Sequence, residues 1–156
     1  MTKILGALLI LLAGGGMAVT LAGFEKKRLS VLDGWLELLT HIRGQIDCYL
    51  MPLDDILNAS DTELLRACGG NGKCRSLRAL FQASFPYLDR ESRRLLSSLL
   101  REIGSSYREE QLKRCDFYLD ALRMRREKIF EELPSRLKTG VAISICTALG
   151  VTVLLW

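Results

Sequence analysis

The sequence predicts an all-α chain: an antiparallel helical bundle flanked by an N-terminal and a C-terminal transmembrane helix. Three observations carry that prediction. Two apolar stretches, residues 4–24 and 139–156, contain no Asp, Glu, Lys, Arg or His. Between them, apolar residues recur in steps of three and four. Alternating apolar and polar positions, as a half-buried strand requires, occur nowhere.

At a rise of about 1.5 Å per residue, a helix through either stretch is roughly 27–32 Å long, close to the hydrocarbon thickness of a bilayer. Every charged residue except Lys3 lies between the two stretches. The expected organisation is therefore a span over 4–24, a helical bundle over 25–134 and a second span over 139–156. Composition alone would miss this, because 49% hydrophobic residues in a chain of 156 is ordinary. Position reveals it.

Lys26, Lys27 and Arg28 follow the first stretch, and Arg136 and Lys138 precede the second. Basic residues beside spans mark the cytoplasmic side, so both clusters place the central domain in the cytoplasm of a two-pass membrane protein. A cleaved signal peptide is the rival reading of residues 4–24. The apolar run is longer than a usual signal core and ends in a basic cluster, which favours a retained anchor. Small residues recur every fourth position, as Gly14, Ala18 and Ala22 in one span and Gly140, Ser144 and Ala148 in the other. Such ladders let helices approach closely. Pairing of the spans with each other, with a partner or with a second copy stays open.

Along the bundle, Leu29, Leu32, Leu36, Leu39, Ile42 and Ile46 trace one helical face, widened by Val31, Trp35 and Leu38. No breaker parts this stretch from the first span, although Gly34 and Gly44 each weaken a helix by about 1 kcal/mol against Ala. His41 lies beside the apolar face as a structural residue. Pro52 suits a first helical position. The break at Asn58-Ala59-Ser60-Asp61 predicts two short helices, the second capped by Ser60 or Asp61 and ended by Gly69-Gly70-Asn71-Gly72. A further helix spans residues 76–84 and stops near Phe85-Pro86. Asp89 is the expected N-cap of the next helix, closed by Gly104. Ser106 and Glu109 read as a capping box for a last helix. There Leu112, Cys115, Leu119, Leu122, Ile129 and Leu133 keep a heptad-like beat, with Arg126 in the missed position. Pro134 predicts a kink or a one-residue break.

The chain lacks the convergent polar groups of an enzyme. It has a single His, no HExxH, no nucleophile motif and no nucleotide loop, since the Gly-rich segment lacks a Gly-Lys-Ser/Thr ending. No cofactor or metal is expected. A net charge of +4, with no basic block interleaved with aromatics, argues against nucleic-acid binding. Of the five cysteines, Cys68 and Cys74 flank the Gly-rich loop. In a cytoplasmic domain they stay reduced. In an exported, membrane-anchored protein they would form a redox-active pair, which is the alternative reading. Arg123, Arg125, Arg126 and Lys128 form a basic stretch that reads either as a solvated face near lipid headgroups or as a docking face for an acidic partner.

The opening Met1-Thr2-Lys3-Ile4-Leu5-Gly6-Ala7-Leu8, the Met51-Pro52-Leu53 core and the stretch Ile103-Gly104-Ser105-Ser106-Tyr107-Arg108-Glu109-Glu110-Gln111-Leu112 resemble the stage III sporulation protein AB family. That last stretch is similar to the family's Leu-Gly-x-x-x-x-Glu-x-Gln-Leu segment. The resemblance covers essentially the whole chain, least closely over 58–86. It implies a non-enzymatic platform of the sporulation channel between mother cell and forespore, with the central domain on the mother-cell side. The family is similar to inner-membrane platform proteins of type II secretion and type IV pilus systems. The resemblance implies other stage III A proteins as partners. By that analogy the central domain contacts the AA ATPase, and the two spans add the lipid bilayer. No catalytic residues are implied.

Overall fold

The computed structural model describes residues 2–49, 53–72, 76–103 and 107–155. The chain is all-α. Its elements are α1 (Thr2–Tyr49), α2 (Leu53–Ala59), α3 (Thr62–Ala67), α4 (Leu77–Ser84), a 3₁₀ turn (Phe85–Tyr87), α5 (Arg90–Glu102) and α6 (Arg108–Leu155), and no strand occurs among the described residues. Two compact units result, Lys27–Ile129, and Met1–Lys26 with Phe130–Trp156.

Within Lys27–Ile129, one apolar core draws on every helix. Leu32, Trp35, Leu39 and Ile42 of α1 are buried together with Ile56 and Leu57 of α2, Leu80 of α4, Leu96 and Leu99 of α5, and Leu119 and Leu122 of α6. Burying each such side chain contributes about 1.5–3 kcal/mol. Helices as short as α2, α3 and α4 would not persist alone in water, so this packing holds them. Asp33 pairs with Arg126, Arg43 with Asp116, and Asp47 with Arg108. As these pairs ascend α1 they descend α6, so the two helices are antiparallel in this unit. Arg126 interrupts the apolar beat because Asp33 awaits it.

The short helices begin and end where their chemistry directs. Asp61 caps α3 by accepting from the Glu63 amide at 3.1 Å. Ser76 caps α4 by accepting from the Ala79 amide at 3.2 Å. The C-terminus of α3 closes with the Gly69 amide donating to the Arg66 carbonyl and the Gly70 amide to the Leu65 carbonyl. That pairing needs a left-handed residue at Gly69, whose φ is +89°. Gly34 allows the same end of α3 to press against α1, since a Cβ there would stand 2.6 Å from the Ala67 carbonyl carbon.

Several expectations change. Asp89 occupies the N-cap of α5, yet its side chain makes no capping bond there. Its carboxylate is engaged by Ser92 and Arg125 instead. Pro134 does not interrupt α6, which continues to Leu155. Among the described residues no helix is long and apolar enough to cross a membrane, so the flanking transmembrane helices of the sequence reading are not part of the shown fold. The side chains of residues 2–14, Met17, Ala18, Ala148 and 152–155 lie outside those described, as do Met51, Pro52, Cys74, residues 104–106 and Trp156.

The unit formed by Met1–Lys26 and Phe130–Trp156 has a different character. Its described large apolar side chains Val19, Leu21, Phe24, Val141, Ile143 and Ile145 are exposed. Among the described residues the half-buried positions are Ala22 and Glu25 on α1, with Glu132, Leu133, Leu137, Gly140 and Ser144 on α6. The run 133, 137, 140, 144 is one helical face. A Cβ placed on Gly140 would meet Leu21 at 3.9 Å, an ordinary contact.

Candidate membrane-facing and docking surfaces

The two segments of the terminal unit approach each other at Gly140 and Leu21. Gly140, Ser144 and Ala22 belong to the ladders foreseen in the sequence, and all three are less exposed than their neighbours. Ser144 donates its hydroxyl to the Gly140 carbonyl at 2.9 Å, leaving no hydroxyl proton to seek water. Gly14, Ala18 and Ala148, the remaining ladder residues, have side chains outside those described.

The basic residues beside the apolar stretches separate into two kinds. Lys26, Lys27 and Lys138 are exposed. Arg136 pairs with Glu132 one turn earlier at 2.8 Å. Arg28 is largely buried and directs Nη2 toward Asp89 at 3.9 Å.

The stretch 123–128 divides in the same way. Arg123 and Lys128 are exposed, and Arg123 pairs with Asp120 at 3.2 Å. Arg126 faces Asp33, with Nε 2.8 Å from Oδ1. Arg125 points inward, its side chain 13% exposed, with Nη2 2.5 Å from Asp89 Oδ2 and Nη1 2.6 Å from Glu91 Oε2. The four residues therefore do not form one free cationic face. Two serve the bundle and two face solvent.

Asp89 is the centre of this inward group, with its side chain 7% exposed. Burial alone would raise its carboxyl, but hydrogen bonds from Ser92 and Arg125, with the charges of Arg125 and Arg28, hold it below the usual carboxylate range. The arrangement fastens the start of α5 to α1 and α6. It leaves no vacant coordination set, and no metal-binding cluster occurs among the described residues.

Residues that sequence periodicity did not single out form the other surface feature. Phe117 and Met124, two turns apart on α6, are 65% and 67% exposed. They fall off the beat of Cys115, Leu119 and Leu122, which is the signal that could have found them. An open groove of about 490 Å³ is lined by Leu36, Glu37, Thr40, His41, Leu64 and Arg123. His41 is half-buried at its wall.

No family model, curated protein or solved structure matches this chain. The chemistry of these surfaces must speak for itself. Cys68 is fully buried and Cys74 lies outside the described residues, so the redox pair of the alternative reading gains no geometry here.

Proposed function

We propose that the chain is a non-enzymatic two-pass membrane platform whose helical bundle docks a partner protein. The observation that supports this most strongly is the opposite placement of apolar side chains in the two units. In Lys27–Ile129 large apolar residues point into one core. In the terminal unit Val19, Phe24, Ile143, Ile145 and Leu149 point outward, while the less exposed positions include the small residues Ala22, Gly140 and Ser144 beside Leu133 and Leu137. Water penalises that surface at about 25 cal/mol per Å², whereas lipid does not. Helices that associate in lipid through small residues have this pattern.

Lys26, Lys27 and Lys138 beside the apolar stretches favour a cytoplasmic bundle. Phe117 and Met124 give that bundle an exposed apolar pair of the kind partner proteins cover. The resemblance to the stage III sporulation protein AB family supplies the context: a channel between mother cell and forespore, with the AA ATPase as the docked partner. Fold analogy alone would not assign that partner.

Two measurements test the proposal. Full-length chain expressed in a bacterium stays in the membrane pellet through alkaline carbonate, and its release to the supernatant would contradict the anchoring. Detergent-solubilised full chain captures the purified AA ATPase, and no capture with both proteins folded would contradict the docking role.

A further inference from the structure

Resting on the membrane reading, we propose that Lys26 and Lys138 together bind the phosphate of an anionic phospholipid, whose acyl chains lie along the adjoining apolar side chains. The two helical segments of the terminal unit meet at Leu21 and Gly140. Lys26 is five residues from that meeting point and Lys138 is two. At about 1.5 Å per residue, each lies within about 8 Å of it along its own helix. Both lysines are exposed, and neither has an ion-pair partner among the described residues.

The neighbouring charges sharpen the assignment. Arg136 is already paired with Glu132, so its guanidinium is largely neutralised. Glu25 is half-buried at the seam, and Glu131, exposed, stands about 13 Å from Gly140 along α6. Among the described side chains of the terminal unit the two lysines are therefore the cations that remain for an outside anion. Phe24 and Val141, on the apolar side of these lysines, are exposed and offer acyl chains a surface. Two flexible ammonium groups suit a phosphodiester monoanion, which they reach as point charges without demanding bidentate geometry. Their aliphatic stems lie along apolar surface while the charge stays at headgroup level.

The test reconstitutes the full chain in phosphatidylcholine vesicles containing a small fraction of nitroxide-labelled lipid, either phosphatidylglycerol or phosphatidylcholine. Electron paramagnetic resonance then reads the lipid immobilised on the protein. The proposal expects immobilised lipid of both kinds, with phosphatidylglycerol preferred about fivefold at low salt, the size expected of one or two lysines at a charged surface. Lys26→Gln with Lys138→Gln abolishes the preference and leaves the immobilised total unchanged, while Lys128→Gln keeps it. Half-molar salt erases it by screening. Equal immobilisation of the two lipids by the unaltered chain overturns the headgroup site alone. No immobilised lipid of either kind overturns the embedding, and the headgroup site with it. A preference that survives the double substitution also overturns the assignment.

Discussion

Gly34 of α1 lies so close to Ala67 of α3 that a side chain between them would stand 2.6 Å from the Ala67 carbonyl carbon and 2.8 Å from the Cys68 amide nitrogen. Both obstacles are backbone, so nothing flexible can move aside. Gly34→Ala should therefore cost about 1–3 kcal/mol, the usual penalty for overpacking, despite the better helix propensity of alanine. Gly44, on the same helix, has nothing within 4 Å. Gly44→Ala should stabilise by about 0.5–1 kcal/mol. Denaturant unfolding of the detergent-solubilised chain measures both, and equal effects of the two substitutions would refute the close packing.

The Asp89–Arg125 pair makes a pH prediction. The carboxyl is held below its ordinary range when folded, so its contribution is fully present above the unfolded value of about 3.9 and is lost as pH falls through the folded value. Asp89→Asn should destabilise by about 2–4 kcal/mol at pH 7, because Arg125 is left largely buried with only the exposed Glu91. The gap between the native chain and the variant should close as pH drops below about 4. A gap independent of pH would contradict the ionised pair.

These two sites show what could be read from the sequence and what could not. The helix between 76 and 84, the division near Asn58-Ala59-Ser60-Asp61 and the turn at Gly69 were legible because capping and turn residues act locally. Gly34 scans as a weak point in a helix, since its purpose lies in Ala67, some thirty residues away. Asp89 stands at the N-cap that the sequence predicts, but the Arg125 that engages its carboxylate is too distant in sequence to be foreseen. Arg125 and Arg126 counted as surface cations because periodicity cannot tell a charged residue facing solvent from one facing a counter-ion. Pro134 predicted an interruption, yet α6 continues, as one missing hydrogen bond need not end a long helix held on both sides. Phe117 and Met124 were legible in principle as large apolar residues off the core stripe.

Cysteine chemistry gives an independent check. Burial pushes the Cys115 thiol up, and the nearby Asp116 charge adds to that. Cys48 is exposed on the bundle. At pH 7.5 a small maleimide should label Cys48 at least about a hundredfold faster than Cys115, since the thiolate is the nucleophile and must also be reached. Peptide mapping by mass spectrometry reads the two rates. Comparable rates would contradict the packing of α6 against the core.

The exposed pair on α6 should matter for docking and not for folding. Met124→Asp should leave the unfolding free energy within about 0.5 kcal/mol of the native chain, as surface changes do, and Phe117→Asp within about 1.5 kcal/mol, since the Phe117 ring stands edge-on to Tyr118 at 5.3 Å. Each should lower capture of the AA ATPase about tenfold if it removes an anchoring side chain. A larger loss of stability, or capture unaffected by both substitutions together, would remove this face from the docking role.

The outward-facing apolar surface is tested most directly with two cysteines the chain already has, Cys146 of the terminal unit and Cys48 of the bundle, both exposed. A nitroxide is attached to one at a time in full-length chain reconstituted in vesicles, the other cysteines being replaced by serine or alanine. Power saturation then compares collisions with oxygen, which concentrates in lipid, and with a water-soluble nickel chelate. Cys146 should collide with oxygen and scarcely with nickel, and Cys48 the reverse. Nickel reaching Cys146 as freely as Cys48 would mean that its surroundings are water, and the membrane platform would fall.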